Sequence, residues 1–212
     1  MTTAGAIAVD DPREPDIRAL LERHLAFSRS ETPPEHSFAL DVDGLLDPVI
    51  TFFSYRSPSG LLGVGALKEL DREHAEVKSM HTAAEARGHG VGRAMLNHLL
   101  AVARSRGYRR VFLETGTTPG FAAARALYES TGFTDAEPFA DYARTIDNTF
   151  YTLALPPSLG PGGLVRGHRE ELGGVGLAEL GVLKAGQHAG QLADPPLVIE
   201  ADHAAARDRA ID

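Results

Sequence analysis

The fold class that the sequence predicts is α+β, a mixed α/β domain built on one central sheet. Three observations carry that reading. Strand-like runs follow one another in the first half of the chain, helical and strand-like segments then alternate, and every Phe and Tyr lies at or before residue 151. Consecutive strands pair as neighbours, while alternation brings in helices that pack on the sheet. Residues 156–212 contain no aromatic and hold ten of the 22 glycines. Large rigid side chains supply much of the buried area that offsets chain entropy, so a segment without them builds little core. The domain is therefore bounded at 1–155, and 156–212 is predicted to be a disordered or weakly structured tail. Its leucines, in "EELGGVGLAELGVLKAG", are interrupted by glycines at 173, 174, 176, 181 and 186, each worth about 1 kcal/mol against a helix relative to Ala.

Within the domain, "AIAVD" (6–10) reads as a first strand. "EPDIRALLERHLAFSRS" places Ile17, Leu20, Leu21 and Leu25 on one helical face. "PVITFFSY" (48–55) and "LLGVGALKEL" (61–70) are β-rich runs joined by the turn-forming "RSPSG", which predicts a hairpin. "HAEVKSMHT" (74–82) is the next strand. A helix follows from about Val91 to Ser105, with Val91, Met95, Leu99 and Val102 at helical spacing and Gly107 to end it. "RRVFLETG" (109–116) is a strand, "AAARALYESTG" (122–132) a helix closed by glycine, and "NTFYTLAL" (148–155) a last strand.

Composition narrows the function classes. The formal charge of −8 repels a phosphate backbone, and no Lys/Arg cluster forms a nucleic-acid-binding stripe, so nucleic acid is not an expected partner. No apolar run approaches the roughly 20 residues that a membrane helix needs. The N-terminus lacks the basic start and long apolar stretch of a secretory signal, which makes the cytoplasm the expected compartment. With no cysteine, disulfides, thiolate metal sites and a Cys nucleophile are all excluded. The nine histidines show no metal-binding spacing such as His-x-x-x-His, so no metal is expected.

The segment "RGHGVG" (87–92) sits between a strand and a strong helix pattern. A helix N-terminus presents unpaired N–H groups and the positive end of the macrodipole, and glycines just before it let an anion approach the backbone. Two familiar phosphate loops are not matched: after Gly92 the chain continues with Arg93 and Ala94 rather than Lys and Ser/Thr, and Arg93 and Met95 occupy the places where a dinucleotide fingerprint needs a small residue. The segment resembles instead the Arg/Gln-x-x-Gly-x-Gly/Ala loop of the GNAT superfamily of N-acetyltransferases, with Arg87, Gly90 and Gly92 in the defining places. The preceding strand "EVKSMHT" and the later "ARALYESTGF", similar to the family's Ala-x-x-Leu-Tyr-x-x-x-Gly-Phe signature, fall in the family's order. The resemblance covers roughly residues 5–155. It implies a mostly antiparallel sheet splayed between its fourth and fifth strands, about four flanking helices, and acetyl-CoA as co-substrate.

By the same resemblance, Met80, His81 and Thr82 offer backbone groups to the pantetheine arm. Arg87, Gly88, His89, Gly90, Val91, Gly92 and Arg93 cradle the pyrophosphate. Tyr128 takes the place of the general acid near the CoA sulfur, Glu76 that of the general base, and Glu114 on the facing strand is second in line for the base. Ser79 is read as a strand serine rather than an acylated nucleophile. The acceptor amine would enter against the first helix and the loops 28–44 and 137–150, where Asp41, Asp43, Asp141 and Tyr142 are the candidates to meet it. Small-molecule or amino-acid-like amines, a protein or peptide amine, and a non-catalytic acyl-CoA-binding role all stay open, and a homodimer is compatible with the fold.

Overall fold

The computed structural model describes residues 5–33, 38 and 40–156; the predicted tail, from residue 157 onward, lies outside the described residues. In chain order the elements are β1 (Ala6–Val9), α1 (Pro15–Glu31), β2 (Ile50–Ser57), β3 (Gly60–Glu69), β4 (His74–Thr82), α2 (Val91–Ser105), β5 (Arg110–Gly116), α3 (Ala122–Ser130), β6 (Thr134–Asp135) and β7 (Asn148–Ala154). The seven strands form one sheet in the order β1-β2-β3-β4-β5-β7-β6. β4 and β5 pair in parallel, and the other neighbours are antiparallel.

Local chemistry explains the boundaries. Pro15 opens α1, where a missing N–H is harmless, and Thr32 leaves the helix in extended backbone ahead of Pro33. β2 starts two residues later than its apolar run, because Asp47 turns the chain: its side chain accepts from Val49 N at 3.0 Å and its carbonyl from Ile50 N at 2.9 Å. α2 stops at Gly107, whose φ of 84° is the left-handed value that glycine adopts without strain. The resemblance implies about four helices; the described residues hold three α-helices and three 3-10 turns. Among its described residues the connection from α1 to β2 holds the turn Gly44–Leu46, where Asp41 spends its carboxylate on Gly44 N at 2.9 Å, a bond that favours turn over helix.

Two apolar layers sandwich the sheet. On one face Met95, Leu96, Leu99, Leu100 and Ala103 of α2 pack against Phe53, Leu67, Val77, Val111 and Leu113. On the other, Ile17, Leu20 and Leu21 of α1 cover Phe52, Val64 and Ala66. A fully buried Leu or Met contributes about 1.5–3 kcal/mol, so these two layers dominate the stability. Strand alternation then fixes where the polar residues go. Lys78 lies in register with Ala66, and Val77 points to the α2 layer, so Glu76 and Lys78 share the α1 face with Glu114 of β5. Among the described residues no helix is long and apolar enough to cross a membrane.

Candidate active site

β4 and β5 are paired only from His74–Glu76 to Arg110–Phe112. Beyond that point β4 follows β3, with Val64 opposite His81 and Gly63 opposite Thr82, while β5 follows β7 as far as Gly116 opposite Asn148. The sheet therefore splays, and the facing edges of Met80–Thr82 and Leu113–Gly116 carry no ladder to each other. A bulge sharpens the divergence: Ala66 faces Lys78 but Val64 faces His81, so Ser79 and Met80 together oppose Gly65. Ser79 has φ 52°, a left-handed conformation that is strained for a side-chain-bearing residue. Gly65 is needed opposite it, because a Cβ there would lie 2.9 Å from Met95 Cγ.

Met80, His81, Thr82, Arg87 and Gly92, the residues expected to meet the cofactor, line one groove together with Tyr128. Gly88 and Gly90 adopt φ 73° and 76°, and Gly90 caps α2 with no side-chain hydrogen bond. The start of this 15-residue helix therefore carries no side-chain cap. The backbone between these glycines is braced by His89 Nδ1, 2.7 Å from Arg87 O. Val91 is buried and anchors the helix start rather than facing the groove. Arg93 donates to Ser130 Oγ at 3.2 Å and ties α2 to the end of α3. Burial, with His24, Arg87 and Arg23 acting in the same direction, holds His81 down at about 3, so it lines the groove as a neutral ring. An uncapped helix start, two left-handed glycines and an unpaired strand edge fit the pyrophosphate and pantetheine of an acyl-CoA.

On the opposite side of the splay a second cavity is lined by Glu76, Lys78, Ser79, Glu114, Phe121 and Tyr128, among others. Tyr128, only 7% exposed, borders both this cavity and the cofactor groove. Burial and then the Glu114 charge push its phenol well above the usual tyrosine range, so it stays protonated at physiological pH. Burial pushes the Glu114 carboxyl up to about 7; Glu76 adds to the rise and Lys78 opposes it. Glu76, 1% exposed, uses Oε1 to accept from Lys78 Nζ at 3.0 Å and from the Tyr142 hydroxyl at 2.5 Å. Lys78 Nζ also donates to the Tyr142 oxygen.

Glu76, Glu114 and Tyr128, the candidates that the sequence offers for proton transfer, meet at one cavity. Lys78 belongs to no motif, although period-2 alternation puts it beside Glu76 on the same face. Tyr142 is expected as an aromatic wall; its hydroxyl also reaches Glu76, a link across 66 positions that no local pattern reveals. Asp41, Asp43 and Asp141 are exposed and do not line the cavity. The ring of Phe38, which lines the cavity, meets the Tyr142 ring edge-on at 4.9 Å. No group of three or more His, Asp or Glu among the described residues is placed to hold a metal.

Comparison with known proteins matches this architecture. Residues 13–133 fit the model of the acetyltransferase (GNAT) family. The chain is 44% identical over 149 residues to YedL, an uncharacterized N-acetyltransferase of Escherichia coli K12, covering 70% of this chain and 94% of that protein. It is 43% identical over 149 residues to YsnE, an uncharacterized N-acetyltransferase of Bacillus subtilis, covering 70% of this chain and 99% of that one. A crystal structure from Klebsiella pneumoniae, assigned as an acyl-CoA N-acyltransferase, superposes with a TM-score of 0.61 at 27% identity over 71% of this chain and 97% of its own.

Proposed function

Because the chain belongs to the acetyltransferase (GNAT) family, we propose that it moves an acetyl group from acetyl-CoA directly to the primary amine of a small molecule, both substrates being bound at once. The observation that carries this reading is the position of Tyr128, a buried phenol on the boundary between the cofactor groove and the second cavity. A proton donor there meets the thioester sulfur from one side while the amine approaches from the other.

In the transfer the amine nitrogen bonds the acetyl carbon, the carbon–sulfur bond breaks, nitrogen loses one proton and sulfur gains one. Glu114 is our choice to take the proton from nitrogen and Tyr128 to supply the one to sulfur. The proton left on Glu114 then returns to the phenolate through solvent, which restores both groups. This reverses the ranking drawn from the resemblance, and the reason is partnership. Glu76 already has Oε1 engaged by Lys78 and Tyr142, which leaves Oε2 alone turned to the cavity, whereas Glu114 has no such partner fixed to it among the hydrogen bonds of the described residues. A carboxyl at about 7 is matched to proton transfer at neutral pH. Glu76 then serves to hold Lys78 and Tyr142 in place.

A protein or peptide acceptor would need an open channel between the segments that hold Phe38 and Tyr142, and these two rings are in contact. This favours a small acceptor. Use of acetyl-CoA favours the cytoplasm as the site of action. The test is release of free CoA thiol across a panel of small primary amines. Tyr128→Phe and Glu114→Gln are each expected to lower kcat by about 100- to 10,000-fold while acetyl-CoA still binds. An acyl-CoA-binding protein without catalysis would bind acetyl-CoA and release no thiol with any amine.

A further inference from the structure

Among the described residues, four buried side-chain polar atoms have no hydrogen-bond partner: His24 Nδ1, Glu76 Oε2, Ser79 Oγ and His98 Nε2. The first three belong to residues that line one cavity, the one bordered by Tyr128 and Glu114. Buried polar groups are nearly always satisfied, so three orphans in one place point to a ligand that completes them. Their chemistry describes that ligand. A carboxylate oxygen only accepts, so Glu76 Oε2 calls for a donor. Ser79 can accept or donate, and it is presented by the strained turn at the β4 bulge. The His24 ring packs 4.8 Å from that of His81 and is neutral, so it adds a hydrogen-bonding nitrogen without charge.

The charges facing the cavity set what it rejects. Among its described lining residues the ionisable groups are Glu76, Glu114, Lys78, His24 and Tyr128. Lys78 is the cation of this set, and it already serves Glu76 Oε1 and the Tyr142 oxygen. A carboxylate entering here would share that one cation with Glu76 and lie beside a second carboxyl. Resting on the acetyl-transfer reading above, we propose that the acceptor is a small primary amine bearing a second hydrogen-bond donor, a hydroxyl or a second amino group, and no carboxylate. The second donor is seated on Glu76 Oε2 and Ser79 Oγ, while the reacting amine lies between Glu114 and Tyr128.

The experiment compares kcat/KM for four series of matched spacer, two to five carbons long: diamines, amino alcohols, plain alkylamines and ω-amino acids. Diamines or amino alcohols are expected to exceed the alkylamine of equal length by about 10- to 100-fold, and the amino acids to be the poorest. Glu76→Gln and, independently, Ser79→Ala are expected to shrink that ratio to within about threefold. Alkylamines or amino acids matching the donor-bearing amines overturn the proposal, and so does a ratio that survives both substitutions. Either result leaves acetyl transfer standing, because thiol release is still seen. Absence of thiol release with every amine, together with no binding of acetyl-CoA, sinks the acetyl-transfer reading itself and this proposal with it.

Discussion

At Glu114 burial acts against charge, and two consequences of opposite sign follow. The carboxyl is raised from 4.5 to about 7, and a base works only when deprotonated, so kcat/KM is expected to climb with pH through a limb near 7. Glu76 contributes to the rise; Glu76→Gln should therefore move that limb to lower pH by roughly half a unit and keep measurable activity. A pH–rate profile checks this, and complete loss of turnover in a folded Glu76→Gln protein would return the base to Glu76. For stability the sign is reversed. Between about 4.5 and 7 the folded state holds a proton on Glu114 that the unfolded state has released, so this group's contribution falls as pH rises. Glu114→Gln is expected to gain on the order of 2 kcal/mol relative to wild type at pH 8 and nearly nothing at pH 4. His24 and His81, lowered from 6.5 to about 4 and about 3, make stability rise with pH up to about 6.5, a window that overlaps that of Glu114, which is why the difference between the two proteins is the quantity to measure by thermal unfolding. At this scale a contiguous motif marks the left-handed glycines of the loop 87–93 and the buried Tyr128 beside the cavities. The order proposed here for Glu76 and Glu114 is not legible in that way, because it turns on burial and on Tyr142, 66 positions from Glu76.

Among the elements, the turn into α2 carries the cofactor argument. Gly88 has φ 73°, and a methyl group added there would meet nothing within 4 Å, so Gly88→Ala isolates backbone strain from crowding. The substitution is expected to destabilise the protein by about 1–2 kcal/mol, and to weaken acetyl-CoA binding by displacing the N–H groups that follow; chemical denaturation and titration read the two effects separately. Most elements are legible because hydrophobic period and glycine punctuation agree, as in α2 with its buried stripe and its stop at Gly107. The misses have local causes. β6 is two residues long, too short to show a period, and exists through pairing with Tyr151 and Thr152. Asp47 displaces the start of β2 by holding Val49 and Ile50 in a turn. The bulge at Ser79 lies opposite Gly65, and no pattern within β4 marks it.

For the whole molecule, one splay between β4 and β5 lies beside two compartments that share Tyr128, and the proposed function seats a phosphate-bearing carrier in one and a small polar acceptor in the other. Phe38 of the second compartment's lining is in ring contact with Tyr142. Tyr142→Ala removes both that contact and the hydroxyl on Glu76, so it is expected to raise KM for small amines by about tenfold while admitting bulkier amines; a substrate-size series checks this. The claim beneath every one of these readings is that the N-terminus of α2 holds the CoA pyrophosphate, and calorimetric titration of acetyl-CoA into wild type and Gly90→Glu tests it most directly. The account predicts binding in the micromolar range for wild type and its loss in the variant, where a carboxylate stands at the positive end of the helix. Equal binding by both proteins, or none by wild type, would contradict it.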